Sequence, residues 1–362
     1  MTRGWIACSG PLTEGRATSL AQRTMPTSLP SGSLVVELTV PRGQIGPFSV
    51  LEHTMPPTRD SGMKMITMHV TGTGQLVFTR MEGTDRRSLH LDASSTLANG
   101  GCLRITYHWA SDRSFLTVEA PDEGIIRQKS GAGTPPIEGN DLSALFDRDA
   151  QGDHVAWLAV GDHYQPIGPA ACFAPSTAIQ TPNGPCPAAQ IRAGDWVETS
   201  DAGPQQVIWA GRTTWPAMGS FAPVRLGAPA FGLGSDLWLM PSHRVAVSGA
   251  SVEYNTGRET MLIAARHLVD NCAVSRVYAP RLLTWHGILL REHHLLNADG
   301  CQVESLFTGG LGACIDVQKT TALADLAGDL PLQRPLFLRE ISHVEEITVV
   351  TARAQARSPI AA

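Results

Sequence analysis

The sequence is poor in charge, in aromatic rings and in long apolar runs. Charged residues are 17% and aromatic residues 6% of 362, and the net charge is −5. No overall basic field therefore draws nucleic acid or an anionic membrane surface, and neither is expected as a partner. No apolar run approaches the roughly 18 residues of a membrane-spanning helix. Residues 1–30 lack the apolar centre of a secretory signal, so the expected location is cytoplasmic or reached without a signal peptide. Seven cysteines (Cys8, Cys102, Cys172, Cys186, Cys272, Cys301, Cys314) are scattered, odd in number and never spaced C-x-x-C. That argues against a disulfide framework and a zinc knuckle, and no cofactor or metal is expected. No internal repeat, phosphate-binding loop or G-x-S-x-G motif occurs.

Turn formers and apolar residues are plentiful. There are 35 Gly and 25 Pro, and 43% of residues are hydrophobic. This composition belongs to a folded chain rich in tight turns rather than to a disordered one. At roughly 150 residues per domain, the length predicts two domains.

Residues 1–30 show no periodicity and read as a flexible arm. Short β-type runs follow: Ser33-Leu-Val-Val-Glu-Leu-Thr-Val40, Met63-Lys-Met-Ile-Thr-Met-His-Val70, Gly74 to Arg80, Arg87 to Asp92, Cys102 to Trp109, Ser114 to Glu119 and Val155 to Val160. Several alternate with period two, which places one face in a core and the other in water. Seven such runs separated by turns predict a β-sandwich over 31–165. Gly74 to Glu119, above all Leu103-Arg-Ile-Thr-Tyr-His-Trp-Ala-Ser-Asp-Arg-Ser-Phe-Leu-Thr-Val118, resembles a laminin-G or concanavalin-like jelly roll. Tyr107, Trp109 and Phe115 are assigned to its core rather than to a sugar platform. Residues 123–150 read as a long loop.

A second β-rich region begins after Gly168-Pro-Ala-Ala171. Its runs include Val197 to Thr199, Gln206 to Trp209, Leu237 to Met240, Arg244 to Val247 and Leu282 to Trp285. Met261 to Val269 reads as a strand entering a short helix, and 320–328 as helical. Pro335 to Val350 fits neither period cleanly.

The informative segment is Ala171-Cys-Phe-Ala-Pro-Ser-Thr-Ala-Ile-Gln-Thr-Pro-Asn-Gly184, followed by Gly194-Asp195-Trp-Val197. Two further elements follow in order. One is Met240-Pro241-Ser242-His243. The other is His293-His294-Leu-Leu-Asn-Ala-Asp299-Gly300 with Val303-Glu304-Ser305. Together they resemble the Hint domain shared by Hedgehog autoprocessing domains and inteins, here spanning 171–310, with 311–362 as a C-terminal extension like that of bacterial Hint-containing proteins. The resemblance implies a horseshoe-like all-β fold with Cys172 as nucleophile and His243 as acid at the amide nitrogen.

The residues themselves suit that chemistry. A thiolate is a strong nucleophile, though an unperturbed Cys pKa of about 8.5 leaves little of it ionised at neutrality. Cys172 can reach the carbonyl carbon of Ala171, the residue before the scissile bond, and intramolecular attack gains from proximity. A His suits protonation of the leaving amine. His293 is the expected helper, with His286 and His294 crowding the same region. No His-Asn dipeptide occurs, so splicing is not expected. The acceptor would be water or an external nucleophile, and the substrate the chain's own N-terminal segment. Met240 stands three residues before His243, where the family usually has Thr, and it cannot hydrogen-bond a scissile amide. A second reading therefore stays open: a glycan- or surface-binding protein carrying an inert Hint scaffold. Asp195 is expected to cap a tight turn, Glu304-Ser305 to tie strand ends, and Cys186, Cys272, Cys301 and Cys314 to pack.

Overall fold

The computed structural model describes residues 3–10, 18–20, 23–57, 62–169, 172–309, 311 and 314–336. The chain divides into two compact units. One comprises 1–168 with 216–219 and 279–282, and the other comprises the rest. Among the described residues no helix is long and apolar enough to cross a membrane.

The first unit is a sandwich of two antiparallel sheets. Seven strands run in the order Ile125–Ala132, Arg113–Ala120, Gly101–Trp109, Gly32–Val40, Val155–Gly161, Trp5–Ser9 and Thr18–Ser19. Four form a meander: Phe48–Met55, Lys64–Val70, Gln75–Glu82 and Asp85–Asp92. All seven expected runs are strands. Alternation explains Lys64–Val70, whose Ile66, Met68 and Val70 are buried while Thr67 and His69 are only partly so. One core joins the sheets, with Val36, Ile105, Tyr107 and Leu116 from the larger and Val50, Met68, Leu76 and Phe78 from the smaller. Phe78 and Tyr107 stack with centroids 3.8 Å apart. Tyr107 and Trp109 are core residues as expected, whereas Phe115 is half-buried. Arg104 and Glu119 stand opposite each other on paired strands, buried, 3.6 Å apart.

Three expectations need correction. The flexible arm over 1–30 contains a fully buried strand, Trp5–Ser9, which pairs with Val155–Gly161. Its apolar run is continuous because both faces are covered, so it has no alternation to read. Asp162 anchors its start by accepting from Gly4 N and pairing with Arg23. The loop over 123–150 contains an edge strand, Ile125–Ala132, and a short helix, Gly139–Ala144. That strand is largely exposed and polar, so its pattern is faint. Residues 320–328 hold only a single helical turn, Ala324–Leu326. The strand Phe48–Met55 carries no clear signal in the sequence reading, and most of 335–350 lies outside the described residues.

The second unit is also β. Its main sheet runs Thr260–Ala264, Arg244–Ser248, Cys301–Glu304, Leu295–Ala298, Trp196–Thr199, Gly203–Ala217 and Ala279–Leu290. The hairpin Ala178–Thr181 with Gly184–Pro187 joins it at Leu295–Ala298. A small sheet of Leu237–Leu239, Val224–Leu226 and Val274–Arg276 accompanies it. The run from Met261 is a strand followed by a 3-10 turn, Ala265–Leu268, as expected. Phe173, Ile179, Val197, Val245, Ile288, Leu296 and Val303 share its core.

Candidate functional site

Phe173 is the anchor. It is buried and bridges to Leu239 on one side and His286 on the other. Its N–H donates to His286 O at 2.9 Å and its carbonyl accepts from His286 N at 2.8 Å. The preceding residue is thereby fixed. Cys172 N–H also donates to His286 O, at 3.0 Å, and Cys172 O accepts from Met240 N at 3.1 Å. Ala171, the residue before the expected scissile bond, lies outside the described residues.

Met240 thus reaches Cys172 through its backbone rather than through its side chain. Its carbonyl accepts from His243 N at 3.0 Å, closing a turn that swings His243 inward. Ala265 N and Arg266 N donate to the carbonyls of His243 and Pro241 and lock the turn in place. The His243 ring meets Phe173 edge to face, with centroids 4.8 Å apart. His243 is 3% exposed, and its buried Nε2 has no hydrogen-bond partner among the described residues.

The third component comes from a hairpin. Leu295–Ala298 pairs with Cys301–Glu304 around Asp299-Gly300, both with positive φ. Asp-Gly is the preferred dipeptide of such a two-residue turn. Val303 bridges Val245, which brings Glu304 beside the strand that follows His243. Glu304 Oε1 accepts from Arg244 N at 3.1 Å, and Oε2 lies 3.2 Å from His293 Nε2. That second contact has ion-pair distance without hydrogen-bond alignment. His293 is buried against Phe307, at 4.7 Å between centroids.

The electrostatics follow from this burial. Desolvation raises the Cys172 thiol well above its ordinary value, and the Glu304 charge raises it further. Cys172 keeps some exposed surface as a residue, yet the loss of water around its sulfur dominates. Burial lowers His243 to about 4; Glu304 opposes that shift and His293 adds to it. At neutral pH the site therefore rests as a thiol beside a neutral imidazole.

Cys172, His243 and His293 are brought into one field, although no sequence pattern states their proximity. His286 contributes its backbone, and burial lowers its imidazole. His294 points elsewhere, with Nδ1 2.9 Å from Asp201. Both residues lie just before the strand Leu295–Ala298, and their rings take different partners there. Asp195 caps its turn, accepting from Arg192 N at 2.8 Å. Ser305 ties a strand end as expected, bonding with His294. Cys301 is buried, Cys186 half-buried, and Cys272 and Cys314 are exposed, so the last two are not packing residues. Glu304 ties strand ends as expected, through Arg244 N, and its charge also acts on Cys172 and His243, which the sequence does not indicate. Among the described residues no three His, Cys, Asp or Glu side chains are grouped to hold a metal ion.

The family model described as "Hint domain" matches residues 171–310. Among solved structures, the MchDnaB-1 intein is similar at 14% identity, covering 37% of this chain and 98% of its own, with a TM-score of 0.25. The Ruminococcus gnavus IT-sialidase CBM40 bound to alpha2,6 sialyllactose is similar at 11% identity, covering 38% and 79%, with a TM-score of 0.26. Mouse laminin alpha1 chain domains LG4-5 are similar at 10% identity, covering 89% and 82%, with a TM-score of 0.20. These structural likenesses are weak, and the family match is the finding that bears on function. No curated protein matches the sequence.

Proposed function

We propose, from the premise that residues 171–310 form a Hint domain, that the chain processes itself by an N-to-S acyl shift at Ala171–Cys172. The observation that carries this reading is the convergence of Cys172, His243 and Glu304 on one buried, electrostatically coupled cluster. Cys172 Sγ attacks the carbonyl carbon of Ala171, and a C–S bond replaces the C–N bond. The thiol proton passes to His243, which returns a proton to the departing Cys172 nitrogen. Amide and thiol become thioester and amine, with no redox change and no added reactant. His293 and Glu304 set the field in which this proton moves. Water or an external nucleophile then takes the acyl group, releasing residues 1–171.

The resting protonation states make direct ionisation costly, because the thiol is raised and the imidazole lowered. Proton transfer is therefore concerted with attack, and burial keeps the site quiet until it occurs. His243 serves well as the acid, since an imidazolium with so low a pKa gives up its proton readily.

The test is the intact mass of the freshly purified chain, with and without dithiothreitol, beside Cys172→Ala. Fragments parting between Ala171 and Cys172 are expected, released faster by thiol and absent from the variant. An unbroken native chain under thiol at alkaline pH would overturn the reading.

One feature favours a second reading, in which the sandwich binds a ligand and the Hint region is inert. A groove of about 510 Å³ crosses the four-stranded sheet, lined by Phe48, Glu52, Thr67, His69 and Arg86 among others. An aromatic ring amid hydroxyl, carboxylate and guanidinium groups suits a polar, ring-bearing ligand such as a glycan. Glycan-array binding that is lost in Phe48→Ala would support it.

A further inference from the structure

His293 has a partner beyond the Hint-matched residues. Its Nδ1 accepts a hydrogen bond from the main-chain N–H of Leu336 at 3.2 Å. Residue 336 lies past the end of the family match at 310. The segment carrying it is fastened to the domain at several points. Gln333 Oε1 accepts from Thr308 N at 3.0 Å, and its Nε2 donates to Leu290 O at 2.8 Å. Leu336 packs against a small cluster of Leu262 and Leu295.

A neutral imidazole has one bare nitrogen and one N–H, and the partner of one nitrogen decides the state of the other. A donor at Nδ1 leaves Nε2 carrying the proton, and Nε2 is the atom 3.2 Å from Glu304 Oε2. Protonation at Nδ1 would set two N–H groups against each other. The groups facing this ring are Glu304, the Phe307 ring and the Leu336 amide, with His243 coupled through charge.

We propose that residues 331–336 form a strap that positions His293, holding Nδ1 as the acceptor of the Leu336 N–H and leaving the ring proton on Nε2, the nitrogen that lies beside Glu304. Leu336, through its main-chain N–H, and Gln333, through its side-chain bonds to Thr308 and Leu290, are positioning residues. The consequence for processing rests on the function proposed above. With the strap docked, His293 stays beside Glu304, whose charge adds to burial in raising the Cys172 thiol.

The test is ¹⁵N NMR of the His293 ring in full-length chains labelled at histidine, at neutral pH. The native chain is expected to show a bare Nδ1 and a protonated Nε2. Leu336→Pro removes the donor, and Gln333→Ala removes the fastening. Both should shift Nδ1 toward its protonated form, whereas Leu336→Ala, which keeps the N–H, should retain the native pattern. A protonated Nδ1 in the native chain would overturn the strap, as would unchanged ring shifts in both disrupting variants. The ring reports even in a chain that never cleaves, so failure of the strap and failure of self-processing are told apart.

Discussion

Glu304 touches two neighbours at once, through Oε1 to the Arg244 amide and Oε2 toward His293. The first contact survives replacement of the carboxylate by an amide, because an amide oxygen also accepts. Glu304→Gln keeps an acceptor for Arg244 and removes the negative charge that helps hold the Cys172 thiol up. Alkylation of Cys172 by iodoacetamide at a fixed pH is therefore expected to accelerate, by about tenfold for each unit by which the thiol pKa falls. A rate equal to that of the native chain would show that burial alone governs the sulfur. Cys172, His243 and His293 are singled out in the sequence because each sits in a short, ordered motif. The electrostatic role of Glu304 is not, because it depends on Val303 lying against Val245, a pairing between distant strands that no local pattern encodes.

Among elements, the Leu295–Ala298 and Cys301–Glu304 hairpin places that carboxylate. Its turn depends on Gly300, at φ +93°, where a Cβ would stand 2.5 Å from Gly232 O. Gly300→Val combines a left-handed backbone with a collision against main chain. A loss of about 1–2 kcal/mol from the backbone alone is expected, read as a lower midpoint in urea unfolding. A midpoint equal to the native one would mean that the turn relaxes freely. The Asp-Gly of this turn is singled out in the sequence as part of a motif, although the two strands that flank it are not among the runs read there. Trp5–Ser9 is missed, because a strand buried on both faces has no alternation to separate it from any apolar stretch. Ile125–Ala132 fails for the opposite reason, as an edge strand with little to bury.

At the scale of the whole molecule, each unit holds a fully buried histidine kept neutral by desolvation. His108 in the sandwich is lowered to about 3 and His243 in the second unit to about 4. Unfolding frees both to ordinary values near 6.5, so below that pH the unfolded chain binds protons that the folded chain refuses. Stability from each is complete above about pH 6.5 and falls with acid by about 1.4 kcal/mol per pH unit, down to the folded value. Glu119, raised by burial, works in the opposite sense, so the decisive quantity is a difference. His108→Gln should flatten the slope of unfolding free energy between pH 6.5 and 4.5 by that amount. Parallel slopes in variant and native chain would contradict the assignment.

The carbonyl of His286 accepts from both Cys172 N and Phe173 N. In the proposed acyl shift, Cys172 N is the leaving group, and as it becomes an amine it keeps an N–H to donate to that oxygen. The departing end is thus tethered beside the thioester instead of drifting into solvent. Return to the amide remains as accessible as progress, and the first step alone commits nothing. Irreversibility enters only when the acceptor consumes the thioester, so the supply of that acceptor, rather than the reactivity of the cysteine, times the separation of the two parts of the chain.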